Sequence, residues 1–161
     1  MSTAELFSKN ILQTKGMIAM TLADFSDADM MFRPAKTANH AIWQMGHLSN
    51  SVLGMVSACD PSVKFPFADD TRFGKSKASF DDAAFFPKKA ELLSRFDQAM
   101  DIAAAWVAKL TDVDFAKPTP EFLQNFAPTV GNVAILLASH PYMHLGQFQV
   151  SRRALGKPHL M

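Results

Sequence analysis

The chain has 161 residues, 48% of them hydrophobic, and sixteen Lys and Arg against fifteen Asp and Glu leave a formal net charge of +1. That length suits one domain over residues 1–161, able to bury about 70% of the surface its unfolded chain exposes. The composition excludes a disordered chain. The near-balanced charge, with no basic stripe, gives no electrostatic reason to expect nucleic acid or an anionic membrane as partner.

The N-terminus, Met1-Ser2-Thr3-Ala4-Glu5, has neither the basic nor the apolar region of a signal peptide, so a cytoplasmic location is expected. Ser2 and Glu5 stand at capping-box spacing and open a first helix predicted from about Thr3 to Phe25. Phe7, Ile11, Ile18, Leu22 and Phe25 recur at helical intervals and form its apolar stripe. Ser26 to Ala38, with Pro34, reads as turns. A second helix is expected from about Asn39 to Ala58, with Thr37 or Asn39 as N-cap, and it must end before Asp60-Pro61. Cys59 is the only cysteine, which excludes an internal disulfide and fits a reducing compartment. With no histidine near it in sequence, it reads as a core or surface residue rather than a nucleophile.

Residues 59 to 86 contain Pro61, Pro66 and Gly74 and read as a long connection. It is long enough to return the chain along a bundle, so the second and third helices can run parallel. Connections of this kind often cover a functional opening. The third helix is predicted from about Pro87 to Leu110, with Pro87 at its first position. Its stripe is Leu92 or Leu93, Phe96, Met100, Ala103, Val107 and Leu110. A loop with Pro118, Pro120 and Pro128 precedes a fourth helix from about Val130 to Leu155, capped by Thr129 and stopped by Gly156 and Pro158. No apolar run reaches the roughly 18 residues of a membrane span. Hairpin signals and internal repeats are missing, so the fold expected is an all-α four-helix bundle. The ten methionines suit an adaptable core more than a copper site.

Five histidines occur: His40, His47, His140, His144 and His159. On a helix, His140 and His144 share the face that carries Val133, Leu136, Leu137, Gln147 and Phe148. Burying an unpartnered imidazole costs about 1–3 kcal/mol. A shared metal ion removes that cost, with bonds of roughly 2.0–2.1 Å for zinc. A third ligand must come from another helix, and His47 is the candidate. Ser51 and Gly54 leave room beside it, while Met45, Val52 and Met55 or Val56 pack the opposite face. Each histidine also has a plainer reading, as a core imidazole bonded to a neighbour, and pairs at this spacing arise by chance. His40 reads as a surface or rim residue and His159, beyond the stop signal, as solvent-exposed. Pro141 follows His140, so the helix is expected to kink or widen there, or to be two pieces meeting at the site.

Trp43-x-x-x-His47-Leu48, then His140-x-x-x-His144-Leu145-Gly146-Gln147, then Arg152-Arg153-Ala154-Leu155-Gly156-Lys157-Pro158 resemble the DinB/YfiT-like superfamily. Thr129-Val130-Gly131 and Phe86-Pro87 with Glu91-Leu92-Leu93 add to the likeness. The resemblance implies up-down-down-up connectivity and a homodimer. It implies one divalent metal ion, usually nickel or zinc, on His47, His140 and His144. Relatives in this superfamily include enzymes that use a low-molecular-weight thiol, bacillithiol or mycothiol, on small electrophilic substrates. Pro141 is not part of the pattern.

Three neutral histidines leave a coordination position open, as in catalytic rather than closed structural sites. Such an ion lowers the pKa of a bound water or thiol. Arg152 reads either as a ligand for the carboxylate of such a thiol or as a basic residue complementing the helix dipole. Asn50 and Gln147 are candidates for hydrogen bonds to the ligands. No Asp or Glu lies within one turn of the three histidines in sequence and no His-Glu-x-x-His occurs, which argues against a zincin protease. The readings left open are a metal-dependent S-transferase or small-molecule hydrolase, a non-catalytic metal-binding stress-response protein, and a bundle with structural histidines.

Overall fold

The computed structural model describes residues 1–158 and 160. Four long helices carry the fold: α1 (Thr3–Leu22), α3 (Ala41–Cys59), α4 (Lys89–Val107) and α7 (Val130–Ala154). Three short ones fill the connections: α2 (Asp27–Met30), α5 (Asp112–Phe115) and α6 (Glu121–Gln124). Two 3-10 turns, Thr71–Phe73 and Lys75–Lys77, lie in the long connection between α3 and α4. Among the described residues there is no strand, only an isolated bridge between Pro118 and Thr129. None of the described helices is long and apolar enough to cross a membrane.

Local chemistry explains the helix ends. Ser2 accepts from the Glu5 amide and Glu5 reaches back to the Ser2 amide, which is the expected capping box. The same reciprocal pair recurs at Ser26 and Asp29, at Thr111 and Asp114, and at Thr129 and Asn132. The first two of these start α2 and α5, short helices that the sequence reading left as loops. At the far end of α7, Gly156 takes φ +69. The Lys157 amide bonds the Arg152 carbonyl at 2.9 Å and the Gly156 amide bonds that of Arg153 at 3.1 Å, a Schellman closure. Pro87 precedes the N-cap Lys88 of α4 rather than occupying its first turn.

Both α1 and α3 lie between α4 and α7. The end of α1 meets the start of α4, where Lys89 Nζ donates to the Ala23 and Phe25 carbonyls. It also meets the end of α7, where Arg152 donates to the Thr21 carbonyl. Gln44 faces His144 and His47 faces His140, so α3 and α7 pass each other in opposite directions. The core is built from the expected stripes: Ile11, Ile18 and Leu22 on α1, Leu92, Phe96 and Met100 on α4, and Val133, Leu137 and Phe148 on α7 are all buried. Pro141 sits inside α7, which continues through it as one helix, so the alternative of two pieces is set aside.

The long connection is fastened to the bundle. Asn50 donates to the Asp70 carbonyl and accepts from the Asp70 amide. Arg72 and Arg95 both pair with the Asp70 carboxylate, at 2.7 and 3.0 Å. The Arg72 bonds outweigh burial and hold that carboxyl at about 2. Phe73 lies flat against Gly46, where any Cβ would overlap its ring. That close approach is the reason a glycine stands in the middle of α3.

Candidate metal centre

The bundle brings His47 of α3 together with His140 and His144 of α7. One ring nitrogen from each lies within 4.8 Å of the other two. The His140 and His144 Nε2 atoms are 3.2 Å apart. Two nitrogens on one tetrahedral zinc stand about 3.3 Å apart, so this pair already has the spacing of shared ligands. His47 packs edge-on to both, with ring centroids 5.2 and 5.6 Å away.

Two of the rings are oriented by neighbours outside the cluster. The His144 Nδ1–H donates to Gln44 Oε1 at 2.8 Å, and Gln44 Nε2 donates in turn to the Asn39 carbonyl at 2.6 Å. The carbonyl of Asn39 can only accept, which fixes the Gln44 amide and hence the His144 tautomer. The bare lone pair of His144 is therefore on Nε2, facing His140. Trp43 stacks on His47 at 4.8 Å with planes 5° apart, and its own Nε1–H is anchored on the Gly74 carbonyl at 3.2 Å. The Trp43-to-His47 spacing thus places an aromatic wall one turn before the imidazole.

The electrostatics favour neutral rings. Burial, then the neighbouring His140 and His47, push His144 down to about 3. Burial, His140 and Lys75 push His47 down to about 4. Burial also lowers His140. Neutral imidazoles keep the lone pairs that a cation needs. The donor set, its spacing and its protonation fit one divalent ion, so the three histidines can hold a metal.

Several sequence expectations are corrected here. His40 is not at a rim but fully buried, and it replaces Thr37 and Asn39 as the N-cap of α3. Its Nδ1 accepts from the Trp43 amide at 3.0 Å and its Nε2–H donates to the Phe80 carbonyl at 2.9 Å. Arg152 is neither a dipole-complementing surface residue nor free to take a ligand carboxylate. It is 2% exposed and bonded to Asp24, the Thr21 carbonyl and the Pro158 carbonyl, tying α7 to the turn after α1. Asn50 is committed to Asp70, whereas Gln147, though exposed, is a hydrogen-bonding neighbour of His144 as expected. Gln44 is the partner of the His144 Nδ1 that was missed. Its signal in the sequence was a lone amide among Ile42, Trp43, Met45 and Gly46, one turn before His47. Cys59 is half-buried with its thiol pushed up by burial, in keeping with an unreactive side chain. His159 lies outside the described residues.

His47 and His140 open onto a cleft of about 680 Å³. Ser51 and Gly54 line it beside His47, leaving the space anticipated for them, while Phe122, Phe126 and Met143 form its outer wall.

Comparison with known proteins agrees with this architecture. A crystal structure of a conserved protein from Enterococcus faecalis superposes with a TM-score of 0.74 at 16% identity, over 98% of this chain and 99% of that one. The chain matches no curated protein. The sequence profile of the DinB superfamily matches residues 11–148, a span that contains all three clustered histidines. With helices, histidine cluster and profile in agreement, the chain belongs to the DinB superfamily.

Proposed function

We propose that His47, His140 and His144 bind one divalent cation, nickel or zinc, and that the protein acts through it on a small molecule. The activity is that of an S-transferase using a low-molecular-weight thiol, or of a small-molecule hydrolase. The observation that carries this reading is the convergence of three neutral imidazoles, two of which, His47 and His140, line a cleft. A bound cation with an open position supplies Lewis acidity and lowers the pKa of a water or thiol on it. Around it, Gln44 keeps the His144 proton on Nδ1 and Trp43 holds the His47 ring, beside a mainly apolar cleft lining. The end contacts of α1, α3, α4 and α7 support the up-down-down-up order, and the shared core supports one domain over 1–161. A homodimer remains part of the proposal on the resemblance alone.

A second reading is a metal-binding stress-response protein without turnover. It is favoured by the lining of the cleft, which includes no carboxylate to serve as a general base. Elemental analysis of untagged protein tests the metal: about one nickel or zinc per chain is expected. Changing His47, His140 or His144 singly to Ala should remove it. Metal content unchanged by all three substitutions would overturn the site. Conjugation of a generic electrophile by several small thiols then separates the two readings. Equal rates with and without protein would leave the second.

A further inference from the structure

The geometry points to a ligand with a compact polar head that reaches the histidines and an uncharged alkyl or aromatic body that fills the cleft between α3, α6 and α7. This inference rests on the metal-site reading above and adds the chemical class of what binds there. Three observations carry it.

First, the cleft is concave and about 680 Å³, within the roughly 300–1,000 Å³ typical of small-molecule sites. Second, its chemistry is divided. The polar side chains are His47 and His140 with Ser51 and Ser139, and the rest of the lining is aliphatic, aromatic or thioether. None of its lining residues is Lys, Arg, Asp or Glu, so a charged body would lose its hydration with nothing in exchange. Third, large apolar groups stand in water at the mouth: Phe122 is 68% exposed, Phe126 57% and Met143 56%. Leu123, buried between the two phenylalanines, anchors α6 so that they are held at the rim. His47 and Ser51 also border a second recess that is different in kind, where Asp69, Asp70, Lys75, Asn50 and Thr71 join Phe73 and Gly74 in the lining. An apolar body therefore has one direction in which to extend from the histidines.

Gly54 gives a clean test. It lines the cleft, and a Cβ built on it meets nothing within 4 Å. Gly54→Leu therefore projects an apolar side chain into the cleft from a helix interior where leucine is the better helix former. The probes are acetohydroxamate, hexanohydroxamate and octanohydroxamate, which share one metal-ligating head and differ in alkyl length. Binding to zinc-loaded protein is measured by calorimetry. In the unsubstituted protein, affinity should rise about three- to fourfold per buried methylene. In Gly54→Leu that rise should flatten while acetohydroxamate binds as before. Equal affinities for all three in zinc-loaded, unsubstituted protein would overturn the inference and leave the metal reading intact.

Nile red, a neutral apolar dye, tests the cleft in metal-free protein. Saturable binding that Gly54→Leu removes supports the inference even if no metal is retained, and no binding overturns it. Sedimentation of the unsubstituted protein and of Gly54→Leu covers the remaining occupant. A dimer that Gly54→Leu converts to monomer, with no probe bound, would assign the cleft to a second copy of the chain and overturn the inference.

Discussion

At the start of α3, His40 is fully buried and both its ring nitrogens are used by the backbone, one by the Trp43 amide and one by the Phe80 carbonyl. Further along the same helix, His47 meets His140 and His144, and there the nitrogens face one another. Burial lowers the pKa of His40 and of all three clustered rings, so protonation alone does not tell the two regions apart. The partner of each nitrogen does. His40 is a structural cap whose hydrogen-bonding capacity is exhausted. In the cluster one nitrogen of each ring lies within 4.8 Å of the other two, and the His140 and His144 Nε2 atoms are 3.2 Å apart, an arrangement that one cation can share.

The comparison can be broken in order of expected effect. Gln44→Ala removes the acceptor that fixes the His144 tautomer while touching no ligand nitrogen. Losing such a partner typically weakens metal affinity about 10- to 100-fold. Competition with a calibrated chelator should read that loss, beside a stability cost of about 1–3 kcal/mol for the unpaired His144 Nδ1–H and Asn39 carbonyl. An unchanged affinity would mean that the His144 tautomer does not need Gln44.

His40→Ala should cost stability but not metal. It deletes a helix cap and strands a part-buried carbonyl, a loss of about 2 kcal/mol in denaturant unfolding. One metal per folded chain should remain. Loss of metal without loss of stability would erase the distinction between the two regions.

A further effect is in the pH profile of the metal-free protein. The unfolded histidines titrate near 6.5, whereas in the folded chain His47 is held down to about 4 and His144 to about 3. Below about pH 6.5 the unfolded state binds protons that the folded state refuses, so stability falls as pH drops towards those lower values. Above pH 6.5 these groups contribute no slope. Changing His144 to Ala should make the acid limb shallower. Thermal melts across pH 4 to 8 would check this, and an identical acid limb in the variant would contradict it.

Much of the bundle was legible because its signals are local. Capping boxes, apolar stripes and the glycine stop at Gly156 each lie within a few residues, and helix ends follow them closely. The three histidines were legible because imidazoles on core-facing positions need a partner. What escaped depends on chain segments meeting at a distance. Nothing near Arg152 in sequence announces Asp24 or the Thr21 carbonyl, and a last-turn arginine looks like a surface residue until α1 is placed beside it. Gln44 and His144 are separated by most of the chain, so their bond exists only once α3 and α7 are packed together. His40 escaped for another reason: histidine is not among the favoured caps, and Thr37 and Asn39 stood close by as better ones. Of the alternatives at Pro141 only the divided helix is excluded, since one missing amide inside a well-packed helix does not break α7 in two.

The central claim concerns which atoms surround the cation. X-ray absorption on untagged protein loaded with one equivalent of zinc measures that directly. The predicted spectrum has three imidazole nitrogens at about 2.0–2.1 Å, with the outer-ring scattering characteristic of histidine, and loses imidazole shells in His144→Ala. A first shell of oxygens without imidazole scattering, or a spectrum indifferent to the substitution, would contradict it.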